Sequence, residues 1–259
     1  MSEPALTTVE VDGSPCRVWR KGSGRKLGFL AGFGGLPRWI PFLDALAAER
    51  TVIVPSLPGF PGGLGHARLD SHLDWVLAVR HLLEAAELSG EDLAGSSVGA
   101  SFALEMAAIW PKTVRRLALV APFGLFDERE PATDPWAQRP DEVGALLCAD
   151  PENWRRLKEP PPGANSPEWS IEQTRANEAA ARAFWPLGDS GIAKRLPYVT
   201  TPTLLLWGER DRILPLSYGR RFAAGIGSAA ELRVIAGAGH LAELDQPEAV
   251  ARAVLDWTR

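Results

Sequence analysis

A serine lies at the centre of Gly95-Ser96-Ser97-Val98-Gly99, which matches the pattern Gly-x-Ser-x-Gly. The match stands between a short strand predicted at Asp92–Gly95 and an apolar helix predicted at Val98–Trp110. A sharp turn there would project the serine hydroxyl outward, and glycines would let the helix approach the neighbouring strands. We therefore identify Ser97 as the candidate nucleophile. The plainer alternative is a Gly/Ser-rich turn without chemistry.

A serine hydroxyl becomes a useful nucleophile when a base removes its proton during attack, and histidine titrates near neutrality. His240 is the candidate base, because it lies on a glycine-rich loop just after a strand predicted at Leu232–Ile235. The other three histidines, which we expect to have surface or packing roles, are His66, His72 and His81.

An acid that orients the base should also follow a strand. Asp211 lies on the loop after a strand predicted at Pro202–Trp207. Glu209 on the same loop and Asp127 after the preceding strand are competitors. On position alone, the acid is therefore one of these three carboxylates.

Backbone N–H groups are the expected donors for an oxyanion that forms during acyl transfer. The N–H of Val98, directly after the nucleophile, is the first candidate. The second is the N–H of Phe33, in the flexible loop Gly32-Phe33-Gly34-Gly35 after a strand predicted at Leu27–Ala31. No Lys-Ser/Thr pair follows this loop, which excludes a P-loop.

The surrounding elements predict an α/β fold. Leu6–Asp12 and Cys16–Arg20 are typical of a hairpin, Ser71–Ala86 of a helix that Ser71 caps, and Asp245–Thr258 of a terminal helix. Strands that alternate with helices predict a mostly parallel sheet with helices on both faces. In such a sheet, reactive groups belong at the carboxyl ends of the strands.

About 80 residues between the strands predicted at Arg116–Ala121 and Pro202–Trp207 differ in character, because they hold eleven of the 22 prolines. Ser170–Gln173 has the form of a capping box and predicts a helix start at this point. We expect residues 123–197 to form an inserted helical cap on a core made of residues 1–122 and 198–259. This segment also contains four tryptophans, which we expect either to line an apolar pocket or to form the core of the cap itself. They are Trp136, Trp154, Trp169 and Trp185.

Composition narrows the class of function. The net charge of −4 over 259 residues argues against nucleic-acid binding, and no apolar run is long enough to span a membrane. Four histidines without ligand spacing and two distant cysteines, Cys16 and Cys148, argue against a metal site. The first residues lack the pattern of a signal peptide. We expect a reduced, cytoplasmic protein without a cofactor, whose oligomeric state the sequence does not indicate.

Together these motifs resemble the α/β-hydrolase superfamily, in its serine-nucleophile branch with a helical cap. The landmarks are Gly32–Gly35, Pro55–Phe60, Gly95–Gly99, and Trp207–Asp211 with Gly239-His240. The resemblance implies an eight-stranded, mostly parallel sheet, a cap after the sixth strand and no cofactor. It also implies the order Ser97, Asp211, His240, which selects Asp211 as the acid.

Two positions depart from the pattern. Ala31 stands where members of the superfamily usually have the histidine of a His-Gly pair, which changes the bracing of the oxyanion loop. Ser96 stands where carbon–carbon bond hydrolases often have asparagine. A serine nucleophile excludes the dehalogenase and epoxide-hydrolase branches, whose mechanism needs a carboxylate.

The resemblance implies hydrolysis of a carboxylic ester of a small, largely apolar substrate through an acyl-Ser97 intermediate. A first alternative is cofactor-free cleavage of a carbon–carbon bond in a ring-fission product. A second is a thioesterase, for which an acidic acyl carrier would dock on the arginines at positions 115, 116, 155 and 156. A third is a ligand sensor that retains the three residues without rapid turnover.

Overall fold

The computed structural model describes residues 3–161 and 163–259, and its centre is an eight-stranded sheet in the order β1-β2-β4-β3-β5-β6-β7-β8. The strands are β1 Ala5–Val11, β2 Ser14–Lys21, β3 Lys26–Leu30, β4 Thr51–Pro55, β5 Glu91–Ser96, β6 Val114–Val120, β7 Thr203–Gly208 and β8 Ala230–Ile235. Strand β2 pairs antiparallel with β1 and β4, whereas the remaining pairs are parallel. The predicted hairpin and mostly parallel sheet are confirmed.

Helices cover both faces of this sheet. They are α1 Pro41–Ala47, α2 His72–Ala85, α3 Ser97–Ile109, α4 Pro140–Leu147, α5 Pro151–Lys158, α6 Ser166–Phe184, α7 Leu216–Ile226, α8 Ala242–Asp245 and α9 Pro247–Trp257. Helix α1 packs with α9 and α2 with α3, and both α3 and α9 contact β6. Ser71 caps α2 in a reciprocal capping box with Asp74, as its position predicts.

The core is densest around α3. Every residue of this helix from Ser97 to Ala108 is buried, which agrees with its apolar sequence on all sides. The central strands β5, β6 and β7 are also buried over almost their whole length. The carboxyl end of β5, where α3 begins, is therefore held rigidly from both sides.

Helices α4, α5 and α6 all lie in the segment that joins β6 to β7. The predicted helix start at Ser170 is wrong. Helix α6 begins at Ser166, and the side chain of Asn165 accepts the N–H of Glu168. Asn165 wins because asparagine is among the strongest N-cap residues and Pro167 fits the first turn, where no N–H is required.

The helix predicted at Asp245–Thr258 starts two residues later, as α9 at Pro247. A short helix, α8, precedes it and ends at Asp245, and Gln246 between the two has a non-helical ψ of 60°. Proline has no N–H for the preceding turn and is suited to the first position of a helix, so a new helix begins at this residue. Within the described ranges, no helical segment combines the length and the hydropathy that crossing a bilayer requires.

Candidate active site

Ser97 is held at the tight junction between β5 and α3. Its φ of +49° lies in the left-handed region, which is uncommon for a residue with a side chain. At Gly99, two residues on, a Cβ atom would lie 2.2 Å from the carbonyl oxygen of Leu30. The helix can approach β3 this closely only because position 99 is glycine. The strain at Ser97 is thus maintained by the packing around it.

A hydrogen-bonded chain joins Ser97, His240 and Asp211. Ser97 Oγ lies 2.9 Å from His240 Nε2, and His240 Nδ1 lies 2.9 Å from Asp211 Oδ2. The other carboxylate oxygen, Oδ1, accepts the N–H groups of Ile213 at 2.8 Å and Leu214 at 2.9 Å. A carboxylate held in this way favours the tautomer with a proton on Nδ1, so Nε2 is free to accept the serine proton.

The loops that carry the acid and the base touch each other. A Cβ atom at Gly208 would lie 2.0 Å from the carbonyl oxygen of Gly239, so a side chain there would force the loops apart. The two competing acids lie elsewhere. Glu209 accepts the N–H of Gly237, and Asp127 pairs with Arg221.

The glycine loop after β3 lies directly against the nucleophile. A Cβ atom at Gly32 would lie 3.0 Å from Ser96 Oγ and 3.3 Å from Ser97 Cβ. The side chains of Phe33 and Val98 are both buried. The structure therefore places the glycine loop, which carries one of the two expected oxyanion donors, in contact with the Ser96-Ser97 segment.

The site is closed to solvent. Ser97 and His240 expose no surface, and the ring of Phe123 packs 5.2 Å from the His240 ring. Ser101 Oγ accepts the N–H of Phe123 and donates to the carbonyl oxygen of Ser97. Phe123, near the start of the segment between β6 and β7, is thereby tied to the backbone of the nucleophile.

Two carboxylates near His240, the half-buried Asp245 and the buried Glu243, were not anticipated. Asp245 accepts the N–H of Gly239 at 2.8 Å. Glu243 is almost fully buried, and its Oε2 atom has no hydrogen-bond partner. Burial raises the pKa of Glu243 to about 7, which the Ser96 hydroxyl and His240 oppose only in part. In the sequence both residues resemble ordinary acids on a helix surface. Only their closeness to His240 along the chain could have identified them as residues near the site.

A cavity of about 230 Å³ borders the glycine loop on the side of α4, α5 and α6. Phe33, Trp136 and Trp154 line it, with ring centroids 5.1 and 6.1 Å from that of Phe33. Trp169 donates instead to the carbonyl oxygen of Lys158, and Trp185 is largely exposed. Two of the four tryptophans therefore line this cavity, and two do not.

The remaining histidines are structural. His66 pairs with Glu178, His72 with Glu105, and His81 with Asp12. In the described part of the chain, no group of three or more histidine, cysteine or acidic side chains could hold a metal ion.

The four arginines considered for carrier docking do not form one surface. Arg115 and Arg116 lie at the start of β6 and donate to the carbonyl oxygens of Thr258 and Trp257. Arg155 and Arg156 lie on α5, near the loop that follows the carboxyl end of β3, where they pair with Glu152 and Asp150. The two arginine pairs therefore lie at opposite ends of the parallel strands.

A model of the alpha/beta hydrolase family matches residues 29–253. The chain belongs to this family. The match begins in β3 and ends in α9, so it includes every residue of the serine, histidine and aspartate chain.

The chain is also similar to individual proteins, at low sequence identity. It is 30% identical to the dihydrolipoyllysine-residue acetyltransferase component of the acetoin cleaving system of Pseudomonas putida, with 99% of this chain and 70% of that protein covered. It is 26% identical to the 2-hydroxy-6-oxo-6-phenylhexa-2,4-dienoate hydrolase of Comamonas testosteroni, with 85% of this chain and 79% of that protein covered. A solved structure of the enzyme with the same name from Rhodococcus sp. strain RHA1 superposes with a TM-score of 0.79, 18% identity and 99% coverage of both chains.

Proposed function

We propose that this protein is a serine hydrolase that cleaves carboxylic esters through an acyl-Ser97 intermediate. The hydrogen-bonded chain from Ser97 through His240 to Asp211 carries this proposal. It supplies a nucleophile, a base and a group that orients the base, which is the arrangement that acyl transfer requires. The Phe33 and Val98 N–H groups would bind the oxyanion, and residues 123–197 would serve as the cap.

In the first half of the reaction, Ser97 Oγ attacks the ester carbonyl carbon while its proton moves to His240 Nε2. The carbonyl oxygen becomes an oxyanion that accepts the two backbone N–H groups. His240 then returns the proton to the departing alcohol. In the second half, His240 removes a proton from water, whose oxygen attacks the acyl carbon. Ser97 leaves with the proton, and the carboxylic acid is released.

Hydrolysis of p-nitrophenyl butyrate by three proteins tests this proposal. We expect Ser97→Ala to lower kcat by about 10³-fold or more, whereas Ser23→Ala should retain wild-type turnover. Ser23 is an exposed serine that precedes the amino end of β3, whereas Ser97 follows the carboxyl end of the parallel strand β5. A fluorophosphonate probe should label Ser97 in the wild-type protein. Undiminished turnover by the Ser97→Ala variant would overturn the proposal.

A second candidate is hydrolysis of a carbon–carbon bond in a dienoate. The names of several relatives, including the Comamonas testosteroni hydrolase, favour it. Ser96 argues against this second candidate, because such hydrolases often have asparagine at that position. Loss of the visible absorbance of 2-hydroxy-6-oxo-6-phenylhexa-2,4-dienoate, faster than ester hydrolysis and absent in Ser97→Ala, would replace the ester assignment.

A further inference from the structure

The cavity beside the glycine loop has an apolar wall and several polar groups that the proposed chemistry does not use. Phe33, Trp136 and Trp154 supply the rings. The polar side chains are Gln138, Lys158 from α5, and Gln173 and Asn177 from α6. Ligand pockets commonly have this composition, in which a few polar groups on an apolar wall fix the orientation of the ligand.

Lys158 is a cation without an anionic partner. Its Nζ atom donates to the carbonyl oxygen of Gly34 at 3.0 Å and lies 4.7 Å from the centre of the Trp154 ring. In residues 3–161 and 163–259, no carboxylate lies within 4.0 Å of it. Burial lowers the pKa of Lys158 to about 7, a shift that Glu172 opposes. Lys158 as a whole is half-buried and lines the cavity, so its ammonium group would gain more from an anion in the cavity than from its present partners.

Gln173 adds a second unpaired group. Its Nε2 and Oε1 atoms are both buried, and neither has a hydrogen-bond partner. Buried side-chain amides are satisfied in the large majority of structures, so an amide with two free ends calls for an explanation. A ligand in the cavity would provide one, because the amide lines the same cavity as Lys158.

We propose that this cavity binds a carboxylate at the far end of the substrate's acyl chain. This inference rests on the proposed ester hydrolysis. One carboxylate oxygen would accept from Lys158 Nζ and the other from Gln173 Nε2. Gly34, which Lys158 contacts, is two residues from Gly32, which packs against Ser97. The same loop therefore contacts both the nucleophile and the group that would hold the carboxylate, and the substrate we propose is a short dicarboxylic half-ester.

The acyl chain suits this subsite better than the alcohol. The alcohol leaves after the first half of the reaction, whereas the acyl chain stays bonded to Ser97 until water attacks. An ion pair at the end of the acyl chain would therefore position the substrate in both halves.

The test compares mono-p-nitrophenyl glutarate with p-nitrophenyl pentanoate, which has the same acyl length without the charge. We expect Lys158→Met to lower the ratio of their kcat/KM values roughly 10- to 100-fold, and Gln173→Leu to lower it less. Lys112→Met, at an exposed lysine outside the cavity, should leave the ratio unchanged. An unchanged ratio in Lys158→Met, or an equal loss for both esters, would overturn the subsite.

Binding to Ser97→Ala separates this inference from the proposed function. Glutarate should raise the Tm of Ser97→Ala, dimethyl glutarate should not, and adding Lys158→Met should abolish the shift. If no ester is hydrolysed but glutarate still raises the Tm, the proposed function fails and the subsite stands. If pentanoate is hydrolysed and glutarate produces no shift, the subsite fails alone.

Discussion

The Asp245 carboxylate accepts the backbone N–H of Gly239 at 2.8 Å, one residue before the candidate base. The same oxygen accepts the N–H of Ala149 at 2.7 Å, and the other oxygen accepts from Asn153 Nδ2 at 2.8 Å. Ala149 and Asn153 belong to the inserted segment. One carboxylate therefore ties the loop that carries His240 to the helices above the site.

Asp245→Ala should weaken both the fold and the site. Several backbone and amide donors would lose a charged acceptor, so we expect a loss of about 2–4 kcal/mol in the free energy of unfolding. Because the loop of His240 would also be released, kcat should fall at a temperature where the variant remains folded. Urea denaturation and ester hydrolysis measure the two effects. Asp256→Ala, at an exposed acid paired with Arg259, is the control. Wild-type stability in Asp245→Ala would contradict this role.

Gly99→Ala should prevent the correct packing of α3 on the sheet. The new Cβ atom would lie 2.2 Å from the carbonyl oxygen of Leu30, and neither backbone can move without disturbing the core. We expect a loss of more than about 4 kcal/mol or a failure to fold. Gly188→Ala is the matched control, since its Cβ atom would have only an ordinary contact at 3.7 Å. Similar melting temperatures for the two variants would refute the steric argument.

Glu105 should make stability depend on pH in the acid range. Although burial raises its pKa, hydrogen bonds from His72 and Arg195 outweigh burial and lower the pKa below 4.5. The native state then holds the charged form more tightly than the unfolded state does. This contribution is present above about pH 4.5 and is lost as the pH falls through the native pKa.

Glu105→Gln should therefore lower the free energy of unfolding at pH 7 by about 1–3 kcal/mol, because the half-buried Arg195 and His72 would lose their charge-assisted hydrogen bonds to this buried carboxylate. The difference from the wild-type protein should shrink towards pH 3. Glu84→Gln, in the exposed pair with Arg80, should change stability by less than about 0.5 kcal/mol. Denaturant titrations from pH 3 to 7 measure both variants, and a pH-independent difference would rule out this origin.

Glu243 should make the free energy of unfolding fall, rather than rise, as the pH increases. Its native pKa of about 7 exceeds the ordinary value of 4.5, so between these pH values the native state keeps a proton that the unfolded state has lost. Stability from this group therefore falls as the pH rises from 4.5 to 7. Glu243→Gln should remove this dependence and stabilise the protein at pH 8 by up to about 3 kcal/mol. Glu248→Gln, at an exposed position of α9, should leave this pH dependence unchanged. If the free energy of unfolding varied with pH in the same way in the wild-type protein and in Glu243→Gln, the role given to Glu243 would be refuted.

Local patterns in the sequence were sufficient for the elements near the site. The Gly95–Gly99 motif predicted a turn between a strand and a buried helix, and Ser71 predicted the start of α2. The same kind of signal failed at Ser170, because Asn165 offers an equally good cap one turn earlier. Capping depends on a few adjacent residues, so a sequence shows where a helix can begin but does not rank two nearby starts.

By itself, the sequence determined the family's sheet and the positions of Ser97 and His240 at strand ends, since side-chain periodicity and turn chemistry are local. Tertiary structure decided which carboxylate meets His240, and it brought Asp211 rather than Glu209 within 2.9 Å. It also buried Glu243 and placed Lys158 and the amide of Gln173 in the lining of one cavity. Burial and the loss of hydration arise from contacts between segments far apart in the chain, which no local pattern records.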